Sequence, residues 1–143
     1  MTRADADFIV IGAGSAGCVV AAELARYGCA DQDGSERGPL PTATIQFEEA
    51  KPLGDAELVP VVYITNEVFK EMTNLTEVEQ LARNISDKIG RLVKRYELNV
   101  SELQFDCDWS MATRENYFTF LQSIREKASY AEMGNPKLSA TIR

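Results

Sequence analysis

Across residues 59–142, strand-like and helix-like patterns alternate, and this alternation restricts the fold more than any other feature of the chain. Residues 59–65 (VPVVYIT) are a β-branched run with Pro60 at the start, where a missing N–H takes nothing from a sheet ladder. Thr76-Glu77-Val78-Glu79 then reads as a capping box, with Thr76 as N-cap and Glu79 reaching back to its amide. Behind it Val78, Leu81, Ala82, Ile85, Ile89, Leu92, Val93 and Tyr96 keep the i, i+3, i+4 spacing of an amphipathic helix. Residues 103–107 (LQFDC) read as the next strand. Thr113 opens a second amphipathic helix whose apolar face is Tyr117, Leu121, Ile124 and Ala128, and residues 138–142 (LSATI) form a last strand. The order β, α, β, α, β predicts an α/β fold of parallel βαβ units with right-handed helical crossovers.

Upstream, residues 7–12 (DFIVIG) have the unbroken apolar character of a strand buried on both faces. A glycine-rich turn follows, then an Ala-rich helical stretch over residues 18–27 with Gly28 placed to end it. Residues 29–41 are polar and rich in Gly and Pro, a junction, and residues 42–47 (TATIQF) alternate like a short strand. The expected organisation is therefore a Rossmann-type βα unit at 1–28, a loop at 29–41, and a partial (β/α) barrel or small open sheet at 42–143. A final strand without a following helix leaves one face of a parallel sheet uncovered. A full (β/α)8 barrel needs about 250 residues, so the pattern predicts a fragment or a fusion. Its open sheet edge invites self-association.

Several function classes are disfavoured by composition. The chain has no histidine, which removes imidazole-based triads, proton shuttles and histidine-ligated metals. Its three cysteines, Cys18, Cys29 and Cys107, lack CxxC spacing, so neither a disulfide framework nor a thiolate zinc site is expected. A net charge of -7 leaves no basic footprint for nucleic acid, and no apolar run is long enough for a transmembrane helix. Ser15-Ala16-Gly17-Cys18 loosely resembles a lipoprotein cleavage box. Asp5 and Asp7 outweigh Arg3 in the segment where an export signal is positive, and a cytoplasmic protein is expected.

Gly12-Ala13-Gly14-Ser15-Ala16-Gly17 is a GxGxxG turn between a predicted strand and a predicted helix. In that setting Gly12 allows the tight turn, Gly14 lets a diphosphate reach the backbone, and Gly17 lets the helix pack on its strand. The same glycines also suit a plain strand-to-helix turn. The stretch DFIVIGAGSAGCVVAAELA resembles the FAD-binding start of the glucose-methanol-choline oxidoreductases. That resemblance implies FAD as a possible cofactor, held by Gly12, Gly14, Ser15 and Gly17. About 20 residues on, where the ribose-binding acid belongs, the chain has Ser35-Glu36-Arg37 inside the polar junction.

Gln104-Phe105-Asp106-Cys107-Asp108-Trp109 carries the second chemical signal. Asp106 and Asp108 are two apart, so in a strand they share a face, at the carboxyl end where parallel α/β sheets place their sites. Paired carboxylates suit acid-base work or a hard cation, and a neighbouring Trp109 suits a sugar face. Aspartates capping the following loop or helix would give the same pattern. Just past the preceding strand, Asn66 and Glu67 either line the same site or start a helix. Lys88, Arg91, Lys94 and Arg95 read as the solvated face of the first amphipathic helix.

From about residue 39 to 143 the chain resembles an uncharacterised bacterial family of TIM-barrel proteins related to glycoside hydrolases. The segments PLPTATIQF, LVPVVYITNEVF, LQFDCDWSMATRENYFTFLQSIR and LSATIR carry the likeness. The aspartate strand is also similar to the DxDxE strand of chitinase-type glycosidases, with Asp106 and Asp108 matching the aspartates. Ser110 stands where the acid-base Glu belongs. The resemblance implies a carbohydrate partner, with Asp106 and Asp108 as catalytic-type residues and Asn66, Glu67 and Trp109 against the ligand. A serine cannot protonate a glycosidic oxygen as a carboxylic acid does, so binding without turnover is expected.

Overall fold

In a computed structural model, residues 59–141 and two short upstream strands, β1 (Leu24–Ala25) and β2 (Leu40–Pro41), are described. Gly12, Gly14, Ser15 and Gly17, the strand expected at 42–47 and the last two residues lie outside them. β1 and β2 pair antiparallel, Leu24 opposite Pro41 and Ala25 opposite Leu40. The helix expected over residues 18–27 is thus corrected at Leu24–Ala25, and the junction expected at 29–41 ends in a strand. Helix propensity is a weak prior, and long-range pairing overrides it here.

The main body follows the expected order. β3 (Val61–Ile64) leads through α1 (Asn66–Glu71) and α2 (Leu75–Arg95) to β4 (Glu102–Cys107). From β4 the chain runs through α3 (Arg114–Arg125) and α4 (Ala128–Glu132) to β5 (Lys137–Ala140). The three strands form a small open parallel sheet in the order β3-β4-β5. Pro60 sits just ahead of β3 and contributes only its carbonyl, which accepts from the Gln104 amide at 2.9 Å. Residues without an N–H are tolerated at that position for this reason.

One face of the sheet makes the core. Val62 and Ile64 of β3 and Leu103, Phe105 and Cys107 of β4 are buried, and the residues between them are only partly so. Against this face pack Val78, Leu81, Ala82, Ile85 and Ile89 of α2, and Tyr117, Phe120 and Ile124 of α3. The two helices also touch each other, so they lie on the same side. Phe120 meets Phe105 and Phe69 edge-to-face, at 5.2 and 5.9 Å between ring centres. Burying side chains of this size contributes roughly 1.5–3 kcal/mol each, so the aromatic cluster ties α1, α3 and β4 into one unit.

Two helix boundaries differ from expectation. α2 begins at Leu75, with Asn74 rather than Thr76 as its N-cap. The Asn74 side chain accepts from the Glu77 amide at 3.0 Å, while the Glu77 carboxylate accepts from the Thr73 amide at 2.7 Å. Asn caps at least as well as Thr, and the reciprocal box simply forms two residues earlier. α3 does start after Thr113, but it ends at Arg125. Ala128 belongs to the separate helix α4, and Phe120 takes its share of the buried face. α4 reaches α2 at Gly90, where a Cβ atom would stand 3.3 Å from that of Ser129. The turn into β5 uses Gly134 and Asn135, both at positive φ, which these residue types tolerate best. No described helix is long and apolar enough to cross a membrane.

Candidate functional site

The carboxyl ends of β3, β4 and β5 converge on one polar cluster. Strand alternation puts Cys107 into the core and turns Asp106 and Asp108 to the face opposite the one on which α2 and α3 pack. The parallel register sets Tyr63 beside Asp106. From there the Tyr63 hydroxyl donates to Asp108 Oδ2 at 2.6 Å. On the other flank, the Thr141 hydroxyl donates to Asp106 Oδ1, also at 2.6 Å. The ladder continues past the strand ends, with Asp108 N–H donating to the Ile64 carbonyl at 2.9 Å and Thr141 N–H to the Phe105 carbonyl at 3.0 Å. Each carboxylate is therefore gripped by a hydroxyl, Asp108 by Tyr63 of β3 and Asp106 by Thr141 just past β5, in short bonds of the charge-assisted class. Asp108 is not the cap of α3; that position belongs to Thr113.

Cys107, between the two aspartates, reports the field they create. Burial pushes its thiol well above the ordinary range, and the charges of Asp106 and Asp108 add to the shift. A thiol in that setting stays protonated and is a poor nucleophile or ligand. Cys107 is accordingly a core residue and no part of the chemistry.

Trp109 leaves on the opposite side of the strand from Asp108. Its ring stacks on Tyr117, with 5.6 Å between centres and 10° between planes, and meets the edge of Phe118 at 5.8 Å. The indole therefore tops the helix side of the core. The Tyr117 hydroxyl donates to the Thr141 carbonyl at 3.1 Å. Burial, followed by Cys107 and Asp106, pushes the Tyr117 phenol up to about 12.

Asn66 and Glu67 separate from one another. Thr113, 2% exposed, donates through its hydroxyl to Asn66 Oδ1 at 2.7 Å and accepts from the Ser110 amide at 2.9 Å. Asn66 thus ties the start of α1 to the loop after β4. Glu67 points outward in an ion pair with Lys70 at 2.8 Å, its side chain 69% exposed, and its carboxyl is held below the usual range chiefly by that hydrogen bond. The structure brings Asp106 and Asp108 together and leaves Glu67 outside the cluster. Sequence reading missed Tyr63 and Thr141, because their contribution depends on inter-strand register, which no local pattern shows.

Among the described residues, no group of three or more Cys, Asp or Glu side chains is placed to hold a metal ion. What the cluster can offer chemically is two hydroxyl-braced carboxylates as acceptors at the mouth of a parallel sheet; Trp109, expected beside them, packs instead on Tyr117 and Phe118 on the helix side. The chain matches no family model, and comparison with curated proteins and with solved structures finds no significant match.

Proposed function

We propose that the chain is a partial, glycoside-hydrolase-like (β/α)-barrel unit that binds carbohydrate around Asp106 and Asp108 without hydrolysing it. The observation that carries this reading is the bracing of both carboxylates by Tyr63 and Thr141 at the strand carboxyl ends. Carboxylates fixed in this way accept hydrogen bonds from vicinal hydroxyls without first having to be ordered, which reduces the entropy lost on binding. Ser110 supports the non-catalytic part. In the chitinase-type resemblance it stands where the acid-base Glu belongs, and its amide donates to the Thr113 hydroxyl. A hydroxyl there has no proton acidic enough for a leaving group.

The test uses the only tryptophan in the chain, Trp109, as a fluorescent reporter during titration with chito- and cello-oligosaccharides. A saturable change lost in Asp106→Asn and Asp108→Asn supports the reading. No response to any sugar refutes it, and robust cleavage of a chromogenic glycoside refutes the non-catalytic part.

A second reading rests on the GxGxxG spacing of Gly12, Gly14 and Gly17, which favours a FAD- or dinucleotide-binding unit of the glucose-methanol-choline type. Gly14→Val would block diphosphate approach while leaving helix content unchanged. Purified protein without flavin absorbance, and with no nucleotide bound in equilibrium dialysis, sinks this alternative. Self-association through the sheet belongs to the first reading, since β3 and β5 each pair on one side only among the described residues. A concentration-independent monomer in light scattering would remove it.

A further inference from the structure

Trp109 sits in a position that its polar atom does not favour. The indole N–H is buried and has no hydrogen-bond partner among the described residues, and an unpaired buried donor is destabilising. The ring must then be held by its neighbours, which are Tyr117 in a near-parallel stack and Phe118 at the edge. Tyr117 is fully buried, and its hydroxyl is tied to the Thr141 carbonyl. Thr141 is in turn fixed at two further points, through its amide to Phe105 and through its hydroxyl to Asp106. One residue therefore joins the aromatic pair on the helix side of the sheet to a carboxylate on the other side.

We infer that Tyr117 is a positioning residue that latches Trp109 and, through Thr141, keeps the indole in register with the Asp106 carboxylate. Release of the latch lets the indole swing outward, because its N–H gains a water partner when it does. The consequence for ligand affinity rests on the carbohydrate reading; the latch itself does not.

The test separates the two. Tyr117→Phe keeps the stacked ring and deletes the hydroxyl. In the ligand-free protein, well below the melting temperature, acrylamide quenching of Trp109 should about double, the scale of effect expected from losing one neutral hydrogen bond. Ile124→Val, on the same helix, weakens the core without touching the latch and should quench like wild type. Unchanged quenching in Tyr117→Phe, or an equal rise in Ile124→Val, overturns the latch. Thr141→Val, which removes the hydroxyl bond to Asp106 but keeps the carbonyl that Tyr117 binds, should weaken chitotriose binding about ten-fold, and Thr141→Ser should restore it. Equal affinity in Thr141→Val and wild type overturns the link to Asp106. If Tyr117→Phe loosens Trp109 but wild type ignores every sugar, the latch stands and the carbohydrate reading falls.

Discussion

Replacing Tyr63 by phenylalanine deletes one oxygen atom and leaves the ring in place, so it isolates the hydroxyl that grips Asp108. The lost bond is short, 2.6 Å, and its acceptor is a carboxylate. Hydrogen bonds to charged groups contribute about 1.5–3 kcal/mol when buried. Both side chains are only partly buried, and water can replace part of the interaction, which brings the expected loss to about 1 kcal/mol. For a domain of this size that lowers Tm by about 3 °C. Tyr63 has contacts besides this bond, so the single variant is not diagnostic. A double-mutant cycle with Asp108→Ala is, since every other contact of either residue cancels in the coupling term. Urea denaturation of the four proteins, followed by far-UV circular dichroism, should give a coupling energy of about 1 kcal/mol favouring the pair. A coupling indistinguishable from zero would refute the claim that the carboxylate is braced. The preorganisation argued for the site would fail with it.

Three further outcomes follow from the same structure. Asn74→Ala should destabilise the fold by about 1 kcal/mol, and Thr76→Ala by less than about 0.5 kcal/mol; equal costs would restore Thr76 as the cap. Cys107 should resist iodoacetamide in the native protein and react once urea unfolds it, as read by peptide mass mapping, because burial holds its thiol protonated; rapid native labelling would contradict the buried assignment. Tyr117 has a folded value near 12 against an ordinary 10, so the folded state favours the neutral phenol. That contribution is complete below pH 10 and is lost as pH rises through about 12. Tyr117→Phe should therefore lose less stability than wild type across that window in urea midpoints, and parallel losses would show that the phenol plays no part.

Much of the sheet is legible from local sequence. The run at 61–64 and the alternation Leu103, Phe105, Cys107 specify strands with one buried face, and the same period-two rule puts Asp106 and Asp108 on the other. Helix ends are less legible, because Asn74 and Thr76 both head an N/T-x-x-E box, and in the structure Asn74 and Glu77 make the capping bonds. α3 stops short of Ala128 because the chain must turn at Lys127 to send α4 against Gly90 of α2, a long-range demand that apolar spacing does not carry.

The site depends still more on tertiary structure. Asp106 and Asp108 are visible as a pair, yet their donors come from residues 45 and 35 positions away along the chain. A shift of one residue in the pairing of β3 with β4 would turn the Tyr63 row toward the core and leave Asp108 without its hydroxyl. The burial of Val62 and Ile64 prevents that shift, since the same slip would expose both. The apolar pattern of the strands therefore secures the polar geometry on their other face, and core substitutions such as Ile64→Ala should loosen the Tyr63–Asp108 contact without touching either residue. A coupling energy for that pair unchanged in an Ile64→Ala background would show that the register is held by something other than the core.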